Sequence, residues 1–278
     1  MTPEFLVIGH ICKDLTPAGY QLGGTATYAA VTARQLGLRA GVLTRAGADL
    51  QVGDLLHGIE VRILPSAETT TFMNIYADGQ RAQRLLAVGE RLTPADVPAE
   101  WSEPRIVLLG PLAQEVDRAF VALFPHALVG VSPQGWMRAW DAAGRVYSLP
   151  QLWQNVNLGL ARVAVVSEED IAGDLSILER LTAQVPIVVL TGGWKGASVY
   201  VDGRIYPVAP RPAREVDPTG AGDVFTAAFL IRLAETDDPL EAAYFANVTA
   251  SFSVEAPAQE GIPTRAQVLD WIAAHPRL

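Results

Sequence analysis

Short apolar runs recur along the chain, and polar turns rich in glycine follow them. Phe5–Ile8, Arg39–Arg45, Ile106–Leu109, Ala127–Val131, Val163–Val166 and Ile187–Leu190 are such runs. Their near-continuous hydrophobicity predicts strands buried on both faces, as in a parallel sheet. Between the first two, an alanine-rich helical pattern covers Thr25–Leu36, and Gly37 closes it as a C-terminal cap. Short helices are expected at Ala48–His57 and Gln114–Phe124. Longer ones are expected from Ala221 to about Ala234, over Leu240–Val254 and over Arg265–Ala274. The alternation of strand and helix predicts an α/β protein with a parallel sheet.

Two stretches depart from this rhythm. Thr69–Tyr76 is β-branched and aromatic, Asp78-Gly79 is a turn signal, and Arg81–Val88 mixes polar with apolar residues as a returning strand would. The pattern fits a flap over a site and an ordinary edge hairpin equally well. Ala197–Val201 and Arg204–Val208, joined by Asp202-Gly203, form a second hairpin, and Asp141–Gly144 is a turn before Arg145–Leu149.

Composition narrows the function classes. Of 278 residues, 50% are hydrophobic and 18% charged, enough to fill the core of one large domain. The net charge of −9, with no basic run, argues against nucleic-acid binding. It leaves room for an anionic nucleotide, because local dipoles and a metal outweigh global charge. Cys12 is the only cysteine, so an intrachain disulfide and cysteine-cluster metal sites are excluded, which fits a reducing cytoplasm. The N-terminus enters a strand without a basic n-region, so no signal peptide is expected, and no apolar run approaches a membrane span. There is no repeat, low-complexity segment or linker.

The stretch with the most chemistry is Asp217–Asp223, Asp-Pro-Thr-Gly-Ala-Gly-Asp. Gly220 and Gly222 permit a tight backbone path, and a helix starting at Ala221 points unpaired N–H groups outward, a site for an anion. Asp223 in the first turn either favours the helix dipole or, beside a phosphate, accepts a proton. Asp14, past the first strand, suits a grip on substrate hydroxyls or a plain turn carboxylate. His10 and Lys13 read as solvated loop residues. Gln134 and Arg138 follow the Ala127–Val131 strand as substrate or phosphate candidates. Ser167–Asp170 carries three acids that suit a helix N-terminus or water around a divalent metal. Thr191–Gly196 is a glycine-rich turn.

Gly23-Gly24, Thr191-Gly192-Gly193 with Gly196, and Asp217–Asp223, in that order and spacing, resemble the ribokinase-like family of carbohydrate kinases, the phosphofructokinase-B type. The resemblance spans nearly the whole chain. It implies a three-layer α/β fold: a central, mainly parallel sheet, helices on both faces and a small β lid. Residues 1–278 would form one kinase domain, with the lid built from about 11–22 and 69–88. Carried over residue by residue, it makes Asp223 the catalytic base and the amides of Gly220, Ala221 and Gly222 the anion hole. Asp14, Gly23 and Gly24 become substrate contacts, with Tyr28, Gln134 and Arg138 joining them. Thr191, Gly193 and Gly196 become the nucleotide-binding turn, and Asn247 and Ser251 the wall of the adenine pocket. ATP and magnesium are the implied cofactors, with Asp170 reaching the metal through water, and a monovalent cation is admitted. Lid pairing between subunits implies a homodimer.

Three departures from the family pattern bear on the substrate. The usual Asn-x-x-Glu is met by Ser167 and Asp170. An Asn found in many sugar-specific members is Tyr28, an aromatic suited to an apolar ring face. In Asp-x-Gln-Gly-x-x-Arg, Ser132 stands for the Asp while Gln134, Gly135 and Arg138 remain. With Gly9–Asp14 and Gly23–Tyr28, these look most similar to the inositol kinase branch. The expected reaction is γ-phosphate transfer from ATP to a sugar or cyclitol hydroxyl. A nucleoside kinase is the alternative, and a non-catalytic relative would not need both Asp223 and the glycines. A dinucleotide-dependent oxidoreductase would want a glycine fingerprint where Gly9–Cys12 stands.

Overall fold

A computed structural model of the chain describes residues 2–77, 80–149 and 157–275, so the Asp78-Gly79 turn lies outside the described residues. The first half contains β1 (Phe5–Ile8), β2 (Cys12–Thr16), β3 (Gly19–Gly23), α1 (Thr25–Gln35), β4 (Ala40–Ala46), β5 (Glu60–Pro65), β6 (Thr71–Ala77) and β7 (Gln80–Ala87). Then come β8 (Ile106–Leu109), β9 (Leu128–Val131), β10 (Arg138–Trp140), β11 (Val146–Ser148), β12 (Val163–Ser167), α2 (Glu168–Ile171) and α3 (Ser176–Thr182). The chain closes with β13 (Ile187–Thr191), β14 (Ala197–Val201), β15 (Arg204–Val208), α4 (Ala221–Thr236), α5 (Pro239–Ser253) and α6 (Arg265–Ala274).

Nine strands make one sheet in the order β15-β14-β13-β12-β9-β8-β1-β4-β5, parallel except for the β13-β14-β15 edge. The expected hydrophobic runs fall in its centre. Alternate residues feed two cores: Phe5, Val7, Ile106 and Leu108 pack with α1, α4 and α5, while Leu6, Ile8, Val107 and Leu109 pack with Phe120, Trp136 and Ile177 on the other face. Burying each such side chain contributes about 1.5–3 kcal/mol, which is why both faces had to be apolar. Helix α4 is buried almost throughout, from Val224 to Leu233. Gly130 lets it seat closely, since a Cβ there would stand 2.5 Å from Leu230 Cδ2.

A separate four-stranded sheet, β3-β2-β6-β7, stands over the carboxyl ends of the central strands. The 11–22 segment supplies a hairpin to it, β2 with β3, and 69–88 supplies β6 with β7. A third hairpin, β10 with β11, leans on its β7 edge, where the Leu85 amide donates to Gly144 O at 2.8 Å.

Two expected helices are absent. In Ala48–His57 only Asp54–Leu56 forms a 3₁₀ turn, because Gly53 has φ 53° and Asp49 is held by Lys13 and Thr69. In Gln114–Phe124 only Arg118–Ala122 forms one. Gln114 lies at φ 64°, and the backbone at 115 and 117 pairs with Leu92 instead of continuing a helix. Strands β5 and β10 and helix α3 had no sequence expectation. They are short, and β5 is an edge strand with a mixed burial pattern.

Candidate active site

The chain leaves β1 to build β4 and β5 on one side, while β8, β9 and β12 extend the sheet on the other. The reversal opens a crevice at the carboxyl ends of β1 and β8, where open α/β sheets bind ligands. Four segments meet there.

The first is the start of α4. Gly220 is its N-cap, in the left-handed region at φ 76°. A Cβ at Gly220 would overlap the Tyr28 ring, so glycine is required twice over, by conformation and by space. Tyr28 is 3% exposed and supports this turn from beneath. Burial pushes its hydroxyl pKa well up, and the carboxylates of Asp14, Asp217 and Asp223 add to that. The Ala221 amide reaches back to Pro218 O at 3.2 Å. Asp217 fixes the loop by accepting from Thr219 N at 2.9 Å and Ala258 N at 2.9 Å.

The second segment is the start of α1. Thr25 Oγ1 donates to Asp223 Oδ1 at 2.7 Å, joining residues 198 apart in the chain. Sequence reasoning passed over Thr25; its position directly after the glycine pair was the available signal. Gly24 has φ 88°, and a Cβ there would stand 2.7 Å from His10 O. A Cβ on Gly23 would overlap the Asp14 carboxylate, so this glycine makes the room in which Asp14 sits.

The third segment follows β9. Gln134 donates to Asp170 Oδ1 at 2.8 Å, and Asp170 Oδ2 accepts from Ser167 N at 2.9 Å in a capping box on α2. Asp170 is thus a cap with a glutamine attached. Arg138 donates to Leu112 O at 3.4 Å, and its charge reaches Asp223 and Cys12.

These neighbours set the state of Asp223. Burial raises its pKa to about 6; the Thr25 hydrogen bond and Arg138 oppose the rise, while Asp170 and Asp14 add to it. A carboxyl titrating there is poised to take or give a proton near neutrality. Cys12, buried beside the same groups, has its thiol pushed up by burial, then by Asp14, Glu115 and Asp223.

The fourth segment is the turn after β13. Thr191 Oγ1 donates to Val166 O at 3.4 Å, and Gly192 N donates to Gly196 O at 2.8 Å. Gly196, at φ 91°, lies against Val208 O and Pro210, where a side chain would not fit. Behind the turn is a cleft of about 360 Å³ bordered by Leu190, Gly196, Ala197, Pro207 and Val208, with Glu168 and Lys195 paired at 2.8 Å on its rim. Asn247 donates to Val208 O at 2.9 Å and Ala209 O at 3.2 Å, so it fixes the cleft wall. Ser251 donates within its own helix to Asn247 O at 2.6 Å.

His10 and Lys13 are not solvated. His10 is fully buried; its Nδ1 lies 2.7 Å from Thr70 Oγ1 and its Nε2 lies 3.0 Å from Glu90 O. Since a carbonyl only accepts, Nε2 carries the proton. Lys13 pairs with Asp49. Glu115, 2% exposed, accepts from the amides of Leu112 and Ala113 and was not foreseen. Both surprises have one cause: the small sheet covers the carboxyl ends of β1 and β8, so polar residues following those strands become interior.

A metal cage of protein ligands is absent among the described residues. Magnesium held mainly by phosphate oxygens and water needs none. Each Asp170 oxygen already accepts one hydrogen bond, from Gln134 and from Ser167 N.

The nine-stranded, mainly parallel sheet, the small sheet above it and the glycine turn capping α4 define a ribokinase-like fold. Residues 159–265 match the model of the pfkB family carbohydrate kinases. The chain is 27% identical to cytidine kinase of Thermococcus kodakarensis, over 82% of this chain and 87% of that one. It is 24% identical to inositol 3-kinase of Arabidopsis thaliana, over 90% of this chain and 73% of that one. Among solved structures, a pyrophosphate-dependent kinase of the ribokinase family, complexed with a pyrophosphate analog and myo-inositol, superposes with a TM-score of 0.79 at 21% identity, covering 96% of this chain and 99% of that one. The chain is thus similar to the pfkB family carbohydrate kinases through residues 159–265 and to curated relatives over most of its length. Its class is that of sugar, cyclitol or nucleoside kinases.

Proposed function

We propose that the protein transfers the γ-phosphoryl group of ATP to a ring hydroxyl of a small polyol, a cyclitol such as myo-inositol. The observation that carries this reading is the Asp223 carboxyl, with a pKa of about 6, in the first turn of the glycine-capped α4 and within electrostatic reach of Asp14. Phosphoryl transfer asks the protein for positioning and charge stabilisation more than for covalent chemistry. Asp223 takes the proton of the attacking hydroxyl, and Thr25 holds the carboxylate in line for it. The amides of Gly220 and Gly222 and the positive end of α4 stabilise charge on the transferred group. Arg138 adds a positive charge from the opposite wall. Asp14 grips the acceptor's neighbouring hydroxyls against the bare backbone of Gly23 and Gly24. Tyr28 holds the Gly220 turn from below. Thr191, Gly193 and Gly196 line the donor's approach, and the cleft fixed by Asn247 takes the base, with Ser251 on the helix behind it. Magnesium, when bound with the donor, neutralises phosphate charge.

A pyrophosphate donor is the second reading, favoured by the structural neighbour that uses one; the apolar-walled cleft favours a nucleotide. The four-stranded sheet acts as a lid. Its outer face exposes Leu15 and Leu86, which supports pairing of two lids in a homodimer. The reaction and its donor are tested by incubating the purified protein with ATP or pyrophosphate against myo-inositol, ribose, fructose and cytidine. Transfer to myo-inositol from ATP is expected. Turnover with ribose or cytidine but not with cyclitols refutes the acceptor, and transfer from pyrophosphate alone refutes the donor.

A further inference from the structure

We propose that the β10–β11 hairpin is a strut through which the lid holds Arg138 beside Asp223, with Gly144 as its positioning residue. The inference rests on the kinase and lid reading above and deepens it. The hairpin spans two parts of the molecule. Its base is tied to the body of the fold: the Gln114 side-chain amide donates to Arg138 O at 2.7 Å, and Ser148 Oγ donates to Asp170 O at 3.0 Å. Its tip is stiff. Gly144 N donates to Asp141 O at 2.9 Å, and Asp141 Oδ1 accepts from Ala143 N at 3.0 Å and Arg145 N at 2.9 Å. That tip rests on β7, where the Leu85 amide donates to Gly144 O at 2.8 Å.

Register puts Arg138 on the face of the hairpin that meets the lid. Arg138 lies opposite Ser148, and Trp140 lies opposite Val146. Every second residue of a strand shares a face, so Arg138 joins Trp140 and Val146, roughly 6–7 Å nearer the base. Trp140 and Val146 pack against Cys12, Phe72 and Leu85 of the lid and Leu112 and Ala113 after β8. Arg138 donates to the carbonyl of that same Leu112 at 3.4 Å, and its charge holds the Asp223 pKa down. A lid that shifts carries the Trp140–Val146 row with it, and Arg138 moves relative to Asp223.

The seam between hairpin and lid is able to open. Arg84 of β7 and Arg145, both exposed, face one another across it in an isolated antiparallel bridge. Like charges directly opposite destabilise such a pairing. The hydrogen bond at Gly144 works against them. Gly144 lies at φ 77°, and a Cβ there would overlap Leu85 O, so only glycine allows the approach. The arrangement suits a transferase. A positive charge fixed beside the base and the transferred phosphate would favour transfer to water whenever a donor is bound. A charge delivered through the lid acts when the lid is down on an acceptor.

The test compares wild type with Gly144→Val, Arg138→Ala, the two combined, and Arg145→Glu. It measures kcat, the pH–rate profile and donor hydrolysis without acceptor. Gly144→Val should lower kcat about tenfold, as for one lost interaction with a charged group. It should also move the acid limb to higher pH, because Arg138 no longer opposes the rise in the Asp223 pKa while Asp14 and Asp170, which add to it, stay in place. In the Arg138→Ala background the same substitution should change kcat by less than about twofold and leave the limb where it is, since the strut then has no charge to deliver. Arg145→Glu turns repulsion across the seam into attraction and should raise acceptor-free donor hydrolysis about two- to fivefold. Gly144→Val with wild-type kcat and limb overturns the proposal. An equal loss of kcat in both backgrounds, the mark of a lid loosened for other reasons, overturns it too. So does Arg145→Glu with unchanged acceptor-free hydrolysis, and this exposed substitution decides the matter if Gly144→Val fails to fold. Wild type that transfers phosphate to no acceptor overturns the kinase reading and the strut with it, a failure visible before any variant is made.

Discussion

Replacing Asp223 with asparagine separates catalysis from stability, because the fold holds this carboxyl at a cost. Its pKa rises from 3.8 to about 6 on folding, chiefly through burial. A shift of about two units at ~1.4 kcal/mol each is an upper figure near 3 kcal/mol. The side chain is half-buried, so partial solvation reduces this to about 2 kcal/mol. The sign follows from linkage. Below pH 3.8 the group is protonated in both states and costs nothing. Between pH 3.8 and 6 the unfolded chain ionises first, and the native state loses stability progressively. Above pH 6 the whole penalty is present. The asparagine amide, uncharged throughout this range, carries no such penalty. Asp223→Asn should therefore melt several degrees above wild type at about pH 8, since 1 kcal/mol shifts Tm by roughly 2–4 °C in chains of this size. The two should converge at about pH 4. Turnover of the same variant should fall by roughly 10²–10⁴, the usual loss when a general base is removed. Wild-type turnover should decline on the acid side around pH 6. Differential scanning fluorimetry from about pH 4 to 8, with a coupled phosphate-transfer assay, reads both quantities. A stability gain independent of pH would refute the burial argument. Turnover near wild type would refute the assigned role.

Other expectations concern the surroundings of that carboxyl. Arg138 holds the Asp223 pKa down, so Arg138→Ala should move the acid limb of the pH–rate profile to higher pH and lower kcat; an unmoved limb separates the two residues. Gly220→Ala forces a side chain into a left-handed position and against the Tyr28 ring. It should cost about 1–3 kcal/mol and most of the activity, with partial recovery in the Tyr28→Ala double variant as read by melting and turnover. Leu86→Lys on the exposed lid face should lower self-association in sedimentation velocity while leaving the melting temperature nearly unchanged. A wild-type chain that sediments as a monomer removes the dimer.

The strand runs, the parallel arrangement and the glycine turn before α4 were legible in sequence because each has a local cause. A strand covered on both faces must be apolar at every position, and a left-handed cap beside a packed ring must be glycine. The helices expected at Ala48–His57 and Gln114–Phe124 failed for a non-local reason. Asp49 is claimed by Lys13 and Thr69, and the backbone around Glu115 by Leu92, so tertiary partners prevail over the helix. His10 looked like a surface residue, and Glu115 drew no notice, because nothing nearby in sequence announces the sheet that covers them. Sequence alone therefore located the candidate for the chemistry, a carboxylate in the first turn of a glycine-capped helix. Tertiary structure alone decided the pairing of Thr25 with Asp223, the seating of Tyr28 under Gly220 and the meeting of Leu85 with Gly144. Those contacts join segments far apart in the chain, and only folding brings their side chains within hydrogen-bonding and packing distance.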